Sequence, residues 1–364
     1  MATSPAIVNR TQSLKQEGYP VAFIEKKFPD WARVAQLCAV SEREGHWANF
    51  GPLSERLAAF VHELNGLPAG CSVIAASSGT AALHALTGMH SVRAGRTLTW
   101  LVSAFGFYSS VIGPLVPNIR LVDSDSSGLL DLESVKQLNV DDWDGMIVTN
   151  TFGLASDLQA YEQICKAYGK ILVVDSALAY PVRGNRTGCF DEMLSFHHTK
   201  PWGFGEGGCA IVARDNESLV RSLLNFGIGL DERCAPYAAN GKMSDIAAAP
   251  IVERLERFES WSPLYIAQTL RISHFASCAG LILLGGVPEG AITGHLAVLR
   301  PSTIELDAVP QCRFVCRKYY RPLAPGFAVA SDLFRRIINV PCHPGMAAIS
   351  DAELEEFFAS LVQR

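Results

Sequence analysis

The chain lacks most of what would direct it to a nucleic acid, a membrane or an oxidised scaffold. Charged residues are only 18% of the 364 and the formal net charge is -5. There is thus no basic footprint for nucleic acid and no polybasic stretch for an anionic membrane. A few local donors could still hold an anionic ligand. The ten cysteines are scattered. Only Cys312 and Cys316 sit close together, and no second pair completes a zinc pattern, so no metal site is expected. Reduced thiols are expected. Met1–Pro20 is polar and has no apolar segment of the kind a secretory signal carries, so a cytoplasmic protein is expected. No charge occurs between Arg96 and Arg120, a run long enough to span a bilayer. Ser103, Gly106, Ser109, Ser110, Pro114, Pro117 and Asn118 interrupt it, and it reads as strand, helix, strand in a buried α/β interior.

What is present is a globular composition, 49% hydrophobic, in a chain long enough for one large domain and a smaller companion. Short β-branched segments alternate with amphipathic ones. Cys71–Ala76, Leu98–Val102, Ile119–Val122, Met146–Thr149 and Ile171–Val174 read as strands. Thr80–Met89, Leu130–Leu138 and Asp157–Tyr168, with Asp157 as N-cap, read as helices. This alternation predicts an α/β fold with a mostly parallel sheet and helices on both faces. Asn216–Phe226 and Ser244–Glu259 read as helices, as does the apolar Tyr265–Leu284. Gly285–Gly290 marks a break before a small α/β unit that closes on the Asp351–Val362 helix. The expected division is an N-terminal segment (1–45), a large cofactor-binding domain (46–260), and a linking helix with a small C-terminal domain (261–364).

Ligands of such sheets sit beyond the carboxyl ends of the strands. Three signals fall there. Ser77-Ser78-Gly79-Thr80 ends a strand and opens a helix, offering amide N–H groups and a helix dipole to a phosphate. Val173-Val174-Asp175 puts a carboxylate at a strand end. Ser195-Phe196-His197-His198-Thr199-Lys200 then leads into a loop whose glycines let backbone approach a ligand closely. Each motif alone is weak: a Gly-Thr helix entry is often only a cap, and a lysine is usually a solvated charge. Their order is informative. Phosphate cradle, acid and lysine are the anion site, ring-nitrogen partner and Schiff-base amine that pyridoxal 5'-phosphate requires.

The chain resembles the DegT-type sugar aminotransferases, of the aspartate-aminotransferase (type I) fold, over nearly its whole length. The resemblance rests on Asn49-Phe50-Gly51-Pro52, Ser78-Gly79-Thr80-Ala81-Ala82-Leu83, Phe105-Gly106-Phe107, Val174-Asp175, Ser195-Phe196-His197 with Lys200, and Gly205-Glu206-Gly207-Gly208. Further on, Asn225-Phe226-Gly227, Asn240-Gly241-Lys242-Met243-Ser244 and Tyr319-Tyr320-Arg321-Pro322-Leu323 extend it. It implies that Lys200 holds the cofactor and shuttles a proton, that Asp175 pairs with the pyridinium N–H, and that Phe107 stacks on the ring. Gly79, Thr80 and Ser195 would hold the phosphate. Asn240 would reach the phosphate of a neighbouring subunit, which implies a homodimer with shared sites. The implied partners are a nucleotide-linked keto-sugar and glutamate. Leu178 stands where many members carry His or Gln; the branch similar to the viosamine-type 4-amino sugar synthases tolerates this, and implies a dTDP-4-keto-6-deoxy-hexose. Two rival readings are a sugar dehydratase, in which His would replace Lys200, and a non-catalytic regulator on the same fold. Trp202 reads equally as pocket lining or core, His197 as a residue that positions the lysine loop, and Tyr319-Tyr320 as structural.

Overall fold

The computed structural model describes residues 21–153, 158–180 and 190–363. Met1–Pro20 and the expected cap Asp157 lie outside the described residues. The first part of the chain runs α1 (Trp31–Glu44), α2 (Pro52–Leu64), β1 (Cys71–Ala76), α3 (Gly79–Ala94), β2 (Trp100–Ser103), β3 (Ile119–Val122) and α4 (Leu132–Lys136). It continues through β4 (Gly145–Thr149), α5 (Gln159–Tyr168), β5 (Ile171–Asp175), β6 (Asp191–Ser195), β7 (Gly208–Ala213) and α6 (Glu217–Leu224). The remainder is α7 (Asp245–Glu256), α8 (Phe258–Cys278), β8 (Ile282–Leu283), β9 (His295–Leu299), α9 (Ala328–Arg336), β10 (Ile337–Pro341) and α10 (Asp351–Gln363).

The large sheet has seven strands in the order β1-β7-β6-β5-β4-β2-β3. The strands from β6 through β3 pair in parallel, while β7 is antiparallel to both β6 and β1. Its central strands are mostly apolar rather than alternating, and every residue of β1 and β4 is buried. Helices on both faces leave no solvated side to carry polar residues. The second sheet, β10-β9-β8, is antiparallel and underlies the small C-terminal unit.

Several expectations shift for local reasons. Between Arg96 and Arg120 the middle piece is two short 3-10 turns, Tyr108–Val111 and Gly113–Asn118, rather than an α-helix. Gly113 sits at φ 59° and Pro117 lies inside the second turn, so no longer ladder of i→i−4 bonds can form. No helix among the described residues is long and apolar enough to cross a membrane. The expected helix Ser244–Glu259 divides at Arg257 into α7 and α8, with the Ser244 hydroxyl accepting from the Ala247 N–H. The next helix ends at Cys278 rather than Leu284, because Gly280 turns left-handed at φ 76°. Helix α1 had no counterpart in the sequence reading. It is capped by Asp30, which accepts from the Ala32 and Arg33 N–H groups, and it buries Val34 and Leu37 among Leu57, Trp202 and Ile251 of the large unit. Eight described cysteines are free, as expected, but Cys71 is disulfide-bonded.

Candidate active site

One cavity of about 350 Å³ opens at the carboxyl ends of β4, β5 and β6, between the large sheet and the small unit. Six of the seven site residues expected from sequence line it: Gly79, Thr80, Phe107, Asp175, Ser195 and Lys200. The seventh, Asn240, does not.

The floor of the cavity begins at α3. The Ser78 hydroxyl accepts from the Ala81 N–H at 3.1 Å and the Ser78 carbonyl from the Ala82 N–H at 3.1 Å. The first-turn N–H groups of Gly79 and Thr80 have no intrahelical partner, as at any helix start, and both residues line the cavity. The glycines here are demanded by space. A Cβ on Gly79 would lie 2.8 Å from the Met193 sulfur, and one on Gly208 would lie 2.3 Å from the Gly79 nitrogen. Strand β7 thus presses against the start of a sixteen-residue helix whose dipole favours an anion.

Asp175 closes β5 with 1% of its surface exposed. Burial pushes its carboxyl up to about 6, against the Ala177 N–H that it accepts at 3.0 Å, the charge of Lys200 and the Ser109 hydroxyl. Across the sheet, Thr149 pairs in register with Asp175. The Thr149 hydroxyl is buried at the cavity wall and has no partner among the described residues, a donor left for a ligand.

Lys200 sits in a turn in which its own N–H donates to the His197 carbonyl at 2.9 Å and its carbonyl accepts from Gly203 at 3.1 Å. Burial lowers its ammonium to about 8, although the Asp175 carboxylate opposes the shift. The turn is held from below by Lys27, whose ammonium donates to the carbonyls of His198 (2.5 Å), Gly203 (2.8 Å) and Lys200 itself. Burial and the neighbouring Arg254 bring Lys27 down to about 7. His197 hydrogen-bonds through Nδ1 with the Thr199 hydroxyl at 2.8 Å. Trp202 belongs to the core: it is fully buried, donates to the Ser195 carbonyl at 2.8 Å and packs on Tyr180.

The facing wall is aromatic and comes from distant parts of the chain. Phe152 stacks on Tyr320 at 5.0 Å, and Phe107 lies 6.3 Å from Tyr320 with half its surface open. Phe23, His295 and Tyr319 complete this side. Tyr319 and Tyr320, read from sequence as structural, line the cavity. Asn240 is exposed, forms a β-bridge with Asn225, and accepts from the Lys242 ammonium at 2.9 Å. Sequence reasoning missed Phe23, Lys27, Thr149, Asn150 and His295. Thr149 and Asn150 were findable, since Thr149 ends the strand Met146–Thr149 and Asn150 follows it. Nothing local marked Phe23, Lys27 or His295.

A free helix start, a buried acid and a desolvated amine around one cavity fit pyridoxal phosphate: anion site, ring-nitrogen partner and carbonyl-binding amine. The DegT/DnrJ/EryC1/StrS aminotransferase family matches residues 32–279. The chain belongs to that family, the one its motifs resembled, and is by class a pyridoxal-phosphate-dependent sugar aminotransferase. It is 25% identical to Protein Rv3402c of Mycobacterium tuberculosis over 371 residues, covering 90% of this chain and 86% of that one. It is 23% identical over 247 residues to the dTDP-4-amino-4,6-dideoxy-D-glucose transaminase of Shigella dysenteriae, covering 58% and 64% of the two chains. The crystal structure of a DegT DnrJ EryC1 StrS aminotransferase from Brucella abortus shares the fold, with a TM-score of 0.72 at 21% identity, covering 93% and 98%.

Proposed function

We propose that the protein transfers the amino group of glutamate to a nucleotide-linked keto-sugar, a dTDP-4-keto-6-deoxy-hexose, in the cytoplasm. The observation that carries the reading is the buried pair Asp175 and Lys200 beside the open first turn of α3, in one cavity. The likeness to the Shigella transaminase favours the dTDP-linked substrate. When bound, pyridoxal phosphate supplies an electron sink for charge developing on the amine-bearing carbon. Lys200, its ammonium lowered to about 8, supplies the neutral amine that bonds the cofactor. Once released, the same amine holds and moves the proton at the substrate carbon. Asp175 keeps the ring nitrogen protonated, Phe107 covers the ring, and Gly79, Thr80 and Ser195 hold the phosphate. Lys200 argues against the dehydratase reading, and the intact acid, amine and helix start against a non-catalytic regulator.

Asn240 lies outside its own chain's cavity and is exposed. This supports a role across a two-fold interface, where it would complete the phosphate site of the partner subunit. Mixing inactive Lys200→Ala and Asn240→Ala chains should then restore activity, since a mixed dimer holds one site with both residues intact. No recovery after confirmed subunit exchange would remove the shared site. The substrate is tested by a panel of nucleotide keto-sugars with glutamate, read as product mass. A holoenzyme that accepts the amino group of glutamate yet aminates no member of the panel rejects the proposed acceptor.

A further inference from the structure

The small-sheet wall of the cavity carries a polar ring whose proton can be placed from its neighbours. His295 opens β9 and lines the cavity. Its imidazole is stacked on Phe23 at 5.2 Å, meets Phe152 edge-on at 5.6 Å and is tilted against Tyr319 at 6.0 Å. These contacts hold the ring plane. Its Nδ1 lies 3.4 Å from the side-chain nitrogen of Asn339, a fully buried residue of β10 that pairs with Ala297, two residues along β9. The Asn339 amide has its orientation dictated, because the Tyr319 N–H donates to Asn339 Oδ1 at 2.6 Å. The NH₂ group is what remains for His295, and an NH₂ can only donate. Nδ1 must therefore accept, and the single proton of the neutral imidazole resides on Nε2.

Protonation of both nitrogens is opposed by burial and by the charge of Lys200, which bring the ring down to about 3. It is neutral at any working pH. No described residue bonds Nε2, so the donor is left to whatever fills the cavity. The strand entry abuts the lysine loop: a Cβ on Gly294 would lie 3.8 Å from the Thr199 carbonyl.

We infer that His295, held as the Nε2–H tautomer by the Tyr319–Asn339 chain, donates a hydrogen bond to an uncharged oxygen of the sugar and so serves the sugar half of the reaction. The inference rests on the function proposed above. A neutral donor among aromatic rings has no charge to offer a glutamate carboxylate, whose desolvation it could not offset. It suits a carbonyl or hydroxyl oxygen, and Phe23 and Tyr319 line the cavity beside it with apolar ring surface.

Two measurements test it. The first is nitrogen NMR of the holoenzyme labelled in histidine, with His295 assigned by its absence in His295→Phe. A neutral Nε2–H imidazole is expected throughout the range in which the protein stays folded. An Nδ1–H or doubly protonated ring there overturns the inference, whatever the substrate proves to be. The second separates the two half-reactions in His295→Phe, which keeps an aromatic ring and removes the donor. The keto-sugar half should slow by roughly 10- to 100-fold, the cost of losing a placed donor, and the glutamate half by less than about threefold. Asn339→Asp, which would demand the proton on Nδ1, should produce the same one-sided defect with His295 in place. Should that buried substitution fail to fold, His295→Phe still decides the matter. Equal slowing of both halves, or an unchanged sugar half, overturns the assignment. Failure of the unsubstituted enzyme to aminate any keto-sugar counts instead against the proposed function, and leaves the tautomer result standing.

Discussion

The floor and the facing wall of the cavity are built in opposite ways. On the floor, Ser78, Gly79 and Thr80 follow β1, Asp175 ends β5, and Ser195 ends β6 just before the Lys200 turn. Each functional group is within a few residues of the strand that positions it. On the wall, Phe23 precedes α1, His295 opens β9, and Tyr319 and Tyr320 follow it by more than twenty residues. Lys27, from the same early segment as Phe23, reaches across more than 170 positions to hold the Lys200 turn. The floor is local chemistry on a sheet edge; the wall is assembled only when the two units meet. This suggests a division of labour in which the floor, with Phe107, holds the cofactor and the rest of the wall chooses what meets it.

Substitutions can break that comparison, and the largest effect belongs to the floor. Lys200→Ala should cost on the order of 10⁴-fold or more in turnover, because the cofactor bond and the proton carrier vanish together. Borohydride reduction of the yellow holoenzyme should fix the cofactor to Lys200; an adduct mapped to another lysine would sink the central assignment. Asp175→Asn should keep the fold but lose about 100-fold or more in turnover and weaken cofactor binding, since the amide carries no charge for the ring nitrogen. Near-normal turnover in that variant would mean that the acid lies elsewhere.

Smaller effects sharpen the same contrast. With Lys200 lowered from 10.5 to about 8 by burial, its neutral fraction is lost as the pH falls below that value. Capture of pyridoxal phosphate by the apoprotein should therefore rise about tenfold between about pH 7 and about pH 9 and then level off. A capture rate still climbing steeply toward pH 10 would show that Lys200 behaves as an exposed lysine. Lys27→Met leaves three carbonyls without their donor, so it should cost about 1–3 kcal/mol by denaturant titration. It should also slow cofactor capture by about fivefold through a looser turn. A wild-type capture rate in Lys27→Met would mean that the Lys200 turn holds itself.

Legibility followed the same line. The parallel strands β2 to β5 were readable because burial on both faces leaves uninterrupted apolar runs. The β1–α3 entry was readable because a cap, a glycine and a helix-forming run sit side by side. The antiparallel strand β7 and helix α1 were not read out. Strand β7 follows directly on the glycine loop, and α1 declares itself only through Val34 and Leu37, which join the core cluster of Leu57, Ile251 and Trp202 from α2, α7 and the lysine loop. Trp202 was balanced between pocket and core by sequence, and only its bond to the Ser195 carbonyl and its place under Tyr180 resolve it.

By itself the sequence determined the α/β class, the family and the order of cradle, acid and lysine. These rest on hydrophobic periodicity and on neighbours within a few residues, which any chain carries in its covalent order. The tertiary structure alone decided how deeply Asp175 and Lys200 are desolvated, that Lys27 props the catalytic turn, that Asn240 lies away from its own cavity, and which nitrogen of His295 bears its proton. Those properties depend on dielectric environment and on hydrogen-bond partners 44 positions apart for His295 and 176 for Lys27 and Gly203, and neither exists until the chain has folded back on itself.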